Sequence, residues 1–179
     1  MLGVSRRRIL KYGLFGSAVL AAGGVGLGLQ STKLRPLDAP LKVLTQQEYS
    51  ILSAIVDRMF PDNPPFESGT AAQVPESVDR LMSTMPVLVV HEFKQALALM
   101  ENAVTSLVFF GTPRPFSRCE PAVQDAILED WRTSSLLLRR TVFRALNSVC
   151  AGAYYGDSAR FKAIGYGGPL IGLNPEAKL

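Results

Sequence analysis

The 179-residue chain has one histidine, one tryptophan and only two cysteines. A single imidazole excludes a multi-histidine metal centre. Two cysteines exclude a disulfide-dense scaffold and a cysteine-built zinc finger, and the lack of a C-x-x-C-H pattern removes any sign of covalent haem. The glycine clusters at 23–28 and 165–168 match neither G-x-G-x-x-G nor G-x-x-x-x-G-K-[ST], and no strand pattern precedes them. Alternating strands, hairpin turns and internal repeats are also missing. What is present is a 47% hydrophobic composition with low net charge, which excludes a disordered chain. The length is enough to bury a real core without disulfides or metal.

The net charge of +4 would ordinarily point to nucleic acid or an anionic membrane. Its location removes nucleic acid as a partner. Residues 1–32 hold Arg6, Arg7, Arg8 and Lys11 and no acid, and over the rest of the chain the basic and acidic residues balance. The excess is therefore an N-terminal feature, followed at 12–29 by an uncharged apolar and glycine-rich run. A basic segment before an apolar one has the layout of an export signal. Ser5, Arg6, Arg7, Arg8, Ile9, Leu10 and Lys11 resemble the twin-arginine signal S-R-R-x-F-L-K, departing only at Ile9. That route carries folded proteins, often with a cofactor inserted or a partner attached. Residues 26–32 contain no good A-x-A-like cleavage site, while 12–29 is at the short end of the roughly 17–25 residues that span a bilayer. Cleavage and retention as a membrane anchor both remain open.

Downstream, Pro36 and Pro40 mark 33–44 as an extended linker. Thr45 and Glu48 form a capping-box pattern that opens a first helix, which Pro61 stops. Pro75 opens a second, short helix. Pro86 opens a third, with Leu88, Val89, Phe93, Leu97, Met100, Val104, Leu107 and Val108 along one side, ended by Gly111 and Pro113. Ser117 and Glu120 offer another capping box. Helical periodicity then runs through 121–155, with Leu137 and Leu138 among its apolar positions. A break near Thr133, Ser134 and Ser135 is favoured over one long helix, because Ser and Thr prefer caps to helix interiors. Gly165 to Pro169 is a turn-rich tail. The expectation is an all-α protein: a small bundle of about five helices, with an N-terminal signal or anchor helix and an irregular C-terminal tail. The divisions are 1–32, 33–44, 45–169 and 170–179.

His91 as a general base would need a nucleophile and an orienting carboxylate, and nothing in the sequence supplies them, so a structural histidine is favoured. Cys119 and Cys150 lie symmetrically about the expected break and would meet across the open end of a helical hairpin. Export makes a disulfide one reading; two buried apolar thiols are the other. Asp125, Glu129 and Asp130 read as a solvated face. Arg132, Arg139, Arg140 and Arg144 either pair with those carboxylates or rim an interface. Tyr154, Tyr155, Phe161 and Tyr166 either close the core or dock onto a partner.

Residues 44–61, then Trp131, Ser134, Arg139, Arg140, Phe143, Tyr154 and Tyr155, then Ile164 to Pro169, together resemble the gluconate 2-dehydrogenase subunit 3 family. The resemblance implies a non-catalytic small subunit with no catalytic, cofactor-binding or metal residues of its own. Its implied partner is a large FAD-containing dehydrogenase of the glucose–methanol–choline type, with a cytochrome c subunit in some complexes. The small subunit would aid folding of the large one and, through Arg6 and Arg7, bring it to the twin-arginine translocase. The complex would then sit on the periplasmic side of the inner membrane, held by 12–29 if that run is uncleaved. Trp131, Arg139, Arg140, Tyr155 and Tyr166 are the expected interface residues. The rival readings are an independent exported enzyme or cofactor binder, and a membrane-tethered structural protein unrelated to redox chemistry.

Overall fold

A computed structural model describes residues 32–37, 39–102 and 114–168 of the chain. The twin-arginine segment with the 12–29 run, and the tail 170–179, lie outside the described residues. Among the described residues there are six α-helices and one 3₁₀ turn, and no strand. The all-α bundle expected from periodicity is therefore observed.

Helix α1 (Gln46–Met59) is the central element and packs against most of the others. Its start is the expected capping box: the Thr45 side chain accepts from Glu48 N–H at 3.2 Å, and Glu48 Oε2 accepts from Thr45 N–H at 2.8 Å. Two adjacent helical turns are buried on nearly every side, so α1 carries serines as well as aliphatics inward. The Ser50 and Ser53 hydroxyls donate to the Gln46 and Tyr49 carbonyls, one turn back, which satisfies them without a tertiary partner. The helix ends at Phe60, ahead of Pro61. Gly69 then lies directly against it. A β-carbon there would meet Val56 Cγ1 at 2.3 Å, so no larger residue fits.

Helix α2 (Val74–Met82) has Pro75 in its first turn and buries Val74, Val78 and Met82. Helix α3 (Val87–Glu101) begins at Pro86 as expected. Its end differs from the expectation: Asn102 is already extended, so the helix stops at Glu101 rather than near Gly111. Val104, Leu107, Val108 and the Gly111–Pro113 stop lie outside the described residues. The capping box expected at Ser117 is also corrected. Ser117 belongs to the 3₁₀ turn Phe116–Arg118, and its hydroxyl donates to Glu101 Oε1 at 2.6 Å. The next helix, α4 (Pro121–Thr133), has Glu120 at its N-cap with no side-chain bond.

α4 and α5 (Leu137–Tyr155) are separated at Ser134–Leu136, which settles the choice between one helix and two. The Thr133 hydroxyl turns back to Glu129 O, and the Ser134 hydroxyl accepts from Leu136 N–H at 3.2 Å. Trp131 is buried at 1% exposure between these helices and α1, where its large apolar area anchors the core with Leu52, Ile55, Phe116 and Leu146. A short helix α6 (Ser158–Phe161), capped by Asp157, was not expected. The turn-rich tail begins after it, with Gly165 and Gly168 at φ +70° and +99°, where glycine is favoured. No helix among the described residues is long and apolar enough to cross a membrane.

Candidate interaction surface

Each of the carboxylates singled out above pairs with an arginine. Arg58 grips Asp125 with two bonds, at 2.7 and 3.1 Å. Arg132 pairs with Glu129 at 2.6 Å, and Arg139 with Asp130 at 2.6 Å. Arg140 bonds the Ser134 carbonyl across the α4–α5 turn. His91 is exposed, and its Nε2 lies 2.9 Å from Gln95 Nε2 one turn on. Among the described residues no group of three or more His, Cys, Asp or Glu could hold a metal ion.

Two buried carboxylates work as structural acceptors. Burial by itself raises the pKa of Asp79, but the backbone N–H groups of Lys42, Val43 and Leu44, at 2.7 to 3.0 Å, more than offset it and hold the carboxyl below its ordinary value. For Glu101 burial wins: its pKa is raised despite bonds from Ser117 and Thr32. Cys119 and Cys150 are both buried free thiols, so the pairing across the hairpin is not formed in this structure. Burial pushes the Cys150 thiol up to about 12, which leaves it protonated and inert. The Cys119 thiol contacts the Pro115 carbonyl at 3.4 Å.

The expected interface residues divide. Trp131 and Arg139 are buried, with the Arg139 guanidinium 5.7 Å from the centroid of the Trp131 ring, so they shape the α4–α5 hairpin from within. Arg140 is half-buried on the turn. Tyr155 and Tyr166 are exposed. Tyr155 stands edge-on to Tyr154 at 5.0 Å, and Tyr166 edge-on to Phe161 at 4.9 Å. Their rings are held by neighbouring aromatics while one face remains in solvent.

The most exposed apolar groups were not singled out as surface. Val87 is 86% exposed, with Leu88 and Val89 beside it, and Leu136, Leu137 and Leu138 lie open at the α4–α5 turn, Leu137 at 70%. Leu88, Val89, Leu137 and Leu138 were expected to face the core. The correction is positional: both runs lie at helix starts, ahead of the first residue that each helix buries, Phe93 in α3 and Arg139 in α5. In sequence these are unbroken apolar runs, Val87–Val90 and Leu136–Leu138, and which of their residues face outward is set by the packing of the helices. Exposed apolar groups gathered at turns mark surfaces for another protein more often than scattered ones do.

No curated protein and no solved structure gives a significant match to the chain. The family described as Gluconate 2-dehydrogenase subunit 3 matches residues 46–168, which spans all six helices and both exposed apolar turns. The chain therefore belongs to the gluconate 2-dehydrogenase subunit 3 family, whose name is that of a subunit of a dehydrogenase complex.

Proposed function

We propose that the protein is the non-catalytic small subunit of an FAD-dependent dehydrogenase complex, partnering a large flavoprotein of the glucose–methanol–choline type. The family match over 46–168 carries this reading. In it the helical domain binds the large subunit in the cytoplasm and aids its folding. The Arg6–Arg7 signal takes the folded pair through the twin-arginine translocase. The complex then works at the periplasmic face of the inner membrane, where a cytochrome c subunit receives electrons from the flavin. The chemistry and the FAD belong to the partner.

The exposed apolar residues at 87–89 and 136–138, with Tyr155 and Tyr166, are the surface this reading assigns to the large subunit. Co-expression with a tagged large subunit tests it. The expected result is a stable pair that is exported. Val87→Ser with Leu137→Ser should weaken capture about tenfold or more, at little cost in stability because both side chains are already in solvent. Arg6→Lys with Arg7→Lys should hold both subunits in the cytoplasm. Partner export untouched by that pair of changes would sink the escort role. Flavin or haem absorbance from the protein purified alone would favour an independent cofactor binder. A pull-down without a flavoprotein would favour a structural protein.

A further inference from the structure

The 33–44 stretch reads as a linker in sequence, yet its first residues are fastened to the folded domain. Thr32 is 5% exposed, and its hydroxyl accepts from Gln47 Nε2 at 3.0 Å. Lys33 N–H donates to the Ser117 hydroxyl at 3.1 Å, and that hydroxyl in turn donates to Glu101. Arg35 N–H donates to the Ser50 hydroxyl at 2.9 Å, and Arg35 O accepts from Gln46 Nε2 at 2.9 Å. The Arg35 guanidinium reaches Asp57 at 2.6 Å, and Asp57 also accepts from Thr70. Three residues, Thr32, Lys33 and Arg35, thus hold α1, the end of α3 and the 3₁₀ turn together.

The bonding is economical at each anchor. The Ser50 hydroxyl donates to Gln46 O while accepting from Arg35, and the Ser117 hydroxyl donates to Glu101 while accepting from Lys33, so each uses both its capacities. The backbone groups of Lys33 and Arg35 that water would otherwise satisfy are satisfied by core side chains instead. These anchors exist only when α1, α3 and the 3₁₀ turn are already assembled.

We infer that residues 32–35 are a docked strap of the folded domain, and that proteolytic processing of the N-terminal segment stops short of Thr32. A peptidase must take several residues around its scissile bond in extended form, with their backbone N–H and C=O groups free to pair with the enzyme. Between Thr32 and Arg35 the Lys33 N–H, the Arg35 N–H and the Arg35 C=O are engaged and Thr32 is buried, so those peptide bonds are closed to a peptidase in the folded protein, whereas Pro36 and Leu37 are exposed. Cleavage within 32–35 requires local opening first. The inference does not depend on which partner or export route the protein uses.

Limited proteolysis of the full chain with a broad-specificity protease such as subtilisin tests it, with fragment ends identified by mass. Native protein should remain uncut between Thr32 and Arg35. Lys33→Pro removes the N–H that bonds Ser117 and leaves every core residue in place. Cutting inside the strap should then rise about tenfold, the change in open population that one lost hydrogen bond produces. Circular dichroism should stay unchanged. Lys33→Ala keeps the N–H and should be cut at the wild-type rate, which separates the backbone bond from the side chain. Wild-type protein cut within 32–35 as fast as Lys33→Pro would overturn the inference, as would an exported chain whose first residue lies between 33 and 35.

Discussion

The guanidinium of Arg160 lies 4.6 Å from the ring centroid of Tyr154 and donates to that residue's carbonyl at 3.1 Å. The same side chain reaches Glu67 at 2.6 Å and Asp157 at 3.0 Å, while the Tyr154 hydroxyl donates to Glu67 O at 2.6 Å. One arginine therefore closes α6 and the 61–73 loop onto the end of α5, where Tyr154 stacks on Phe60 at 4.7 Å. Arg160→Ala should lower unfolding stability by about 2 kcal/mol, the scale of a lost charged hydrogen bond with its packing. Arg160→Lys should recover only part, because an ammonium cannot fork between Glu67, Asp157 and a carbonyl. Urea unfolding of the three proteins checks this, and a loss under about 0.5 kcal/mol for the alanine variant would contradict it.

Asp79 accepts three consecutive backbone N–H groups, so Asp79→Ala should cost about 3 kcal/mol at neutral pH by leaving buried donors unpaired. The folded carboxyl has a depressed pKa. Its contribution is therefore present above the unfolded value of about 3.9 and is lost as pH falls through the folded value. The stability gap between wild type and Asp79→Asn should shrink from pH 6 towards pH 2. A gap that widens on acidification would contradict this assignment.

Glu101 carries the opposite sign. Its folded pKa is raised, so the contribution from this group is fully present below the unfolded value of about 4.3 and is lost as pH rises through the folded value. Stability of wild type relative to Glu101→Gln should therefore increase as pH is lowered from 7 to 4, whatever the offset between them at pH 7. Chemical denaturation at stepped pH measures it. A flat difference would mean that the carboxyl titrates alike in both states.

The two thiols give a simple count. With both buried and the Cys150 thiol raised to about 12, neither should react with iodoacetamide at pH 8 while the protein is folded, and both should react after unfolding. Mass spectrometry counts the adducts. Protein recovered from an oxidising compartment with no reactive thiol in either state would show that the hairpin cysteines bridge there.

Local signals were legible where a short stretch of sequence carries its own reason. Thr45 with Glu48, Pro61, Pro75, Pro86 and the Thr133–Ser135 break each placed a helix end within about two residues of where it lies, because capping and proline effects act within one turn. Ser117 with Glu120 has the same pattern as Thr45 with Glu48, yet Ser117 bonds Glu101 instead. Sixteen residues of separation hide that partner from any local reading. Among the expected interface residues, Tyr155 and Tyr166 reach solvent, whereas Trp131 and Arg139 are enclosed by their own hairpin. Aromatic and arginine side chains suit cores and interfaces equally well, and composition does not separate the two.

By itself the sequence determined that the chain is helical, where most helices begin, that its charge excess is confined to the N-terminus, and which family it resembles. Periodicity, caps and charge are local or additive properties, so they survive without coordinates. Only the tertiary structure decided that Leu136, Leu137 and Leu138 face outward, that Asp79 and Glu101 are buried acceptors with opposite pH signatures, and that 32–35 is fastened down rather than free. Each of those outcomes depends on groups far apart in the chain competing for the same space or the same hydrogen bond. That competition is settled only when the helices pack.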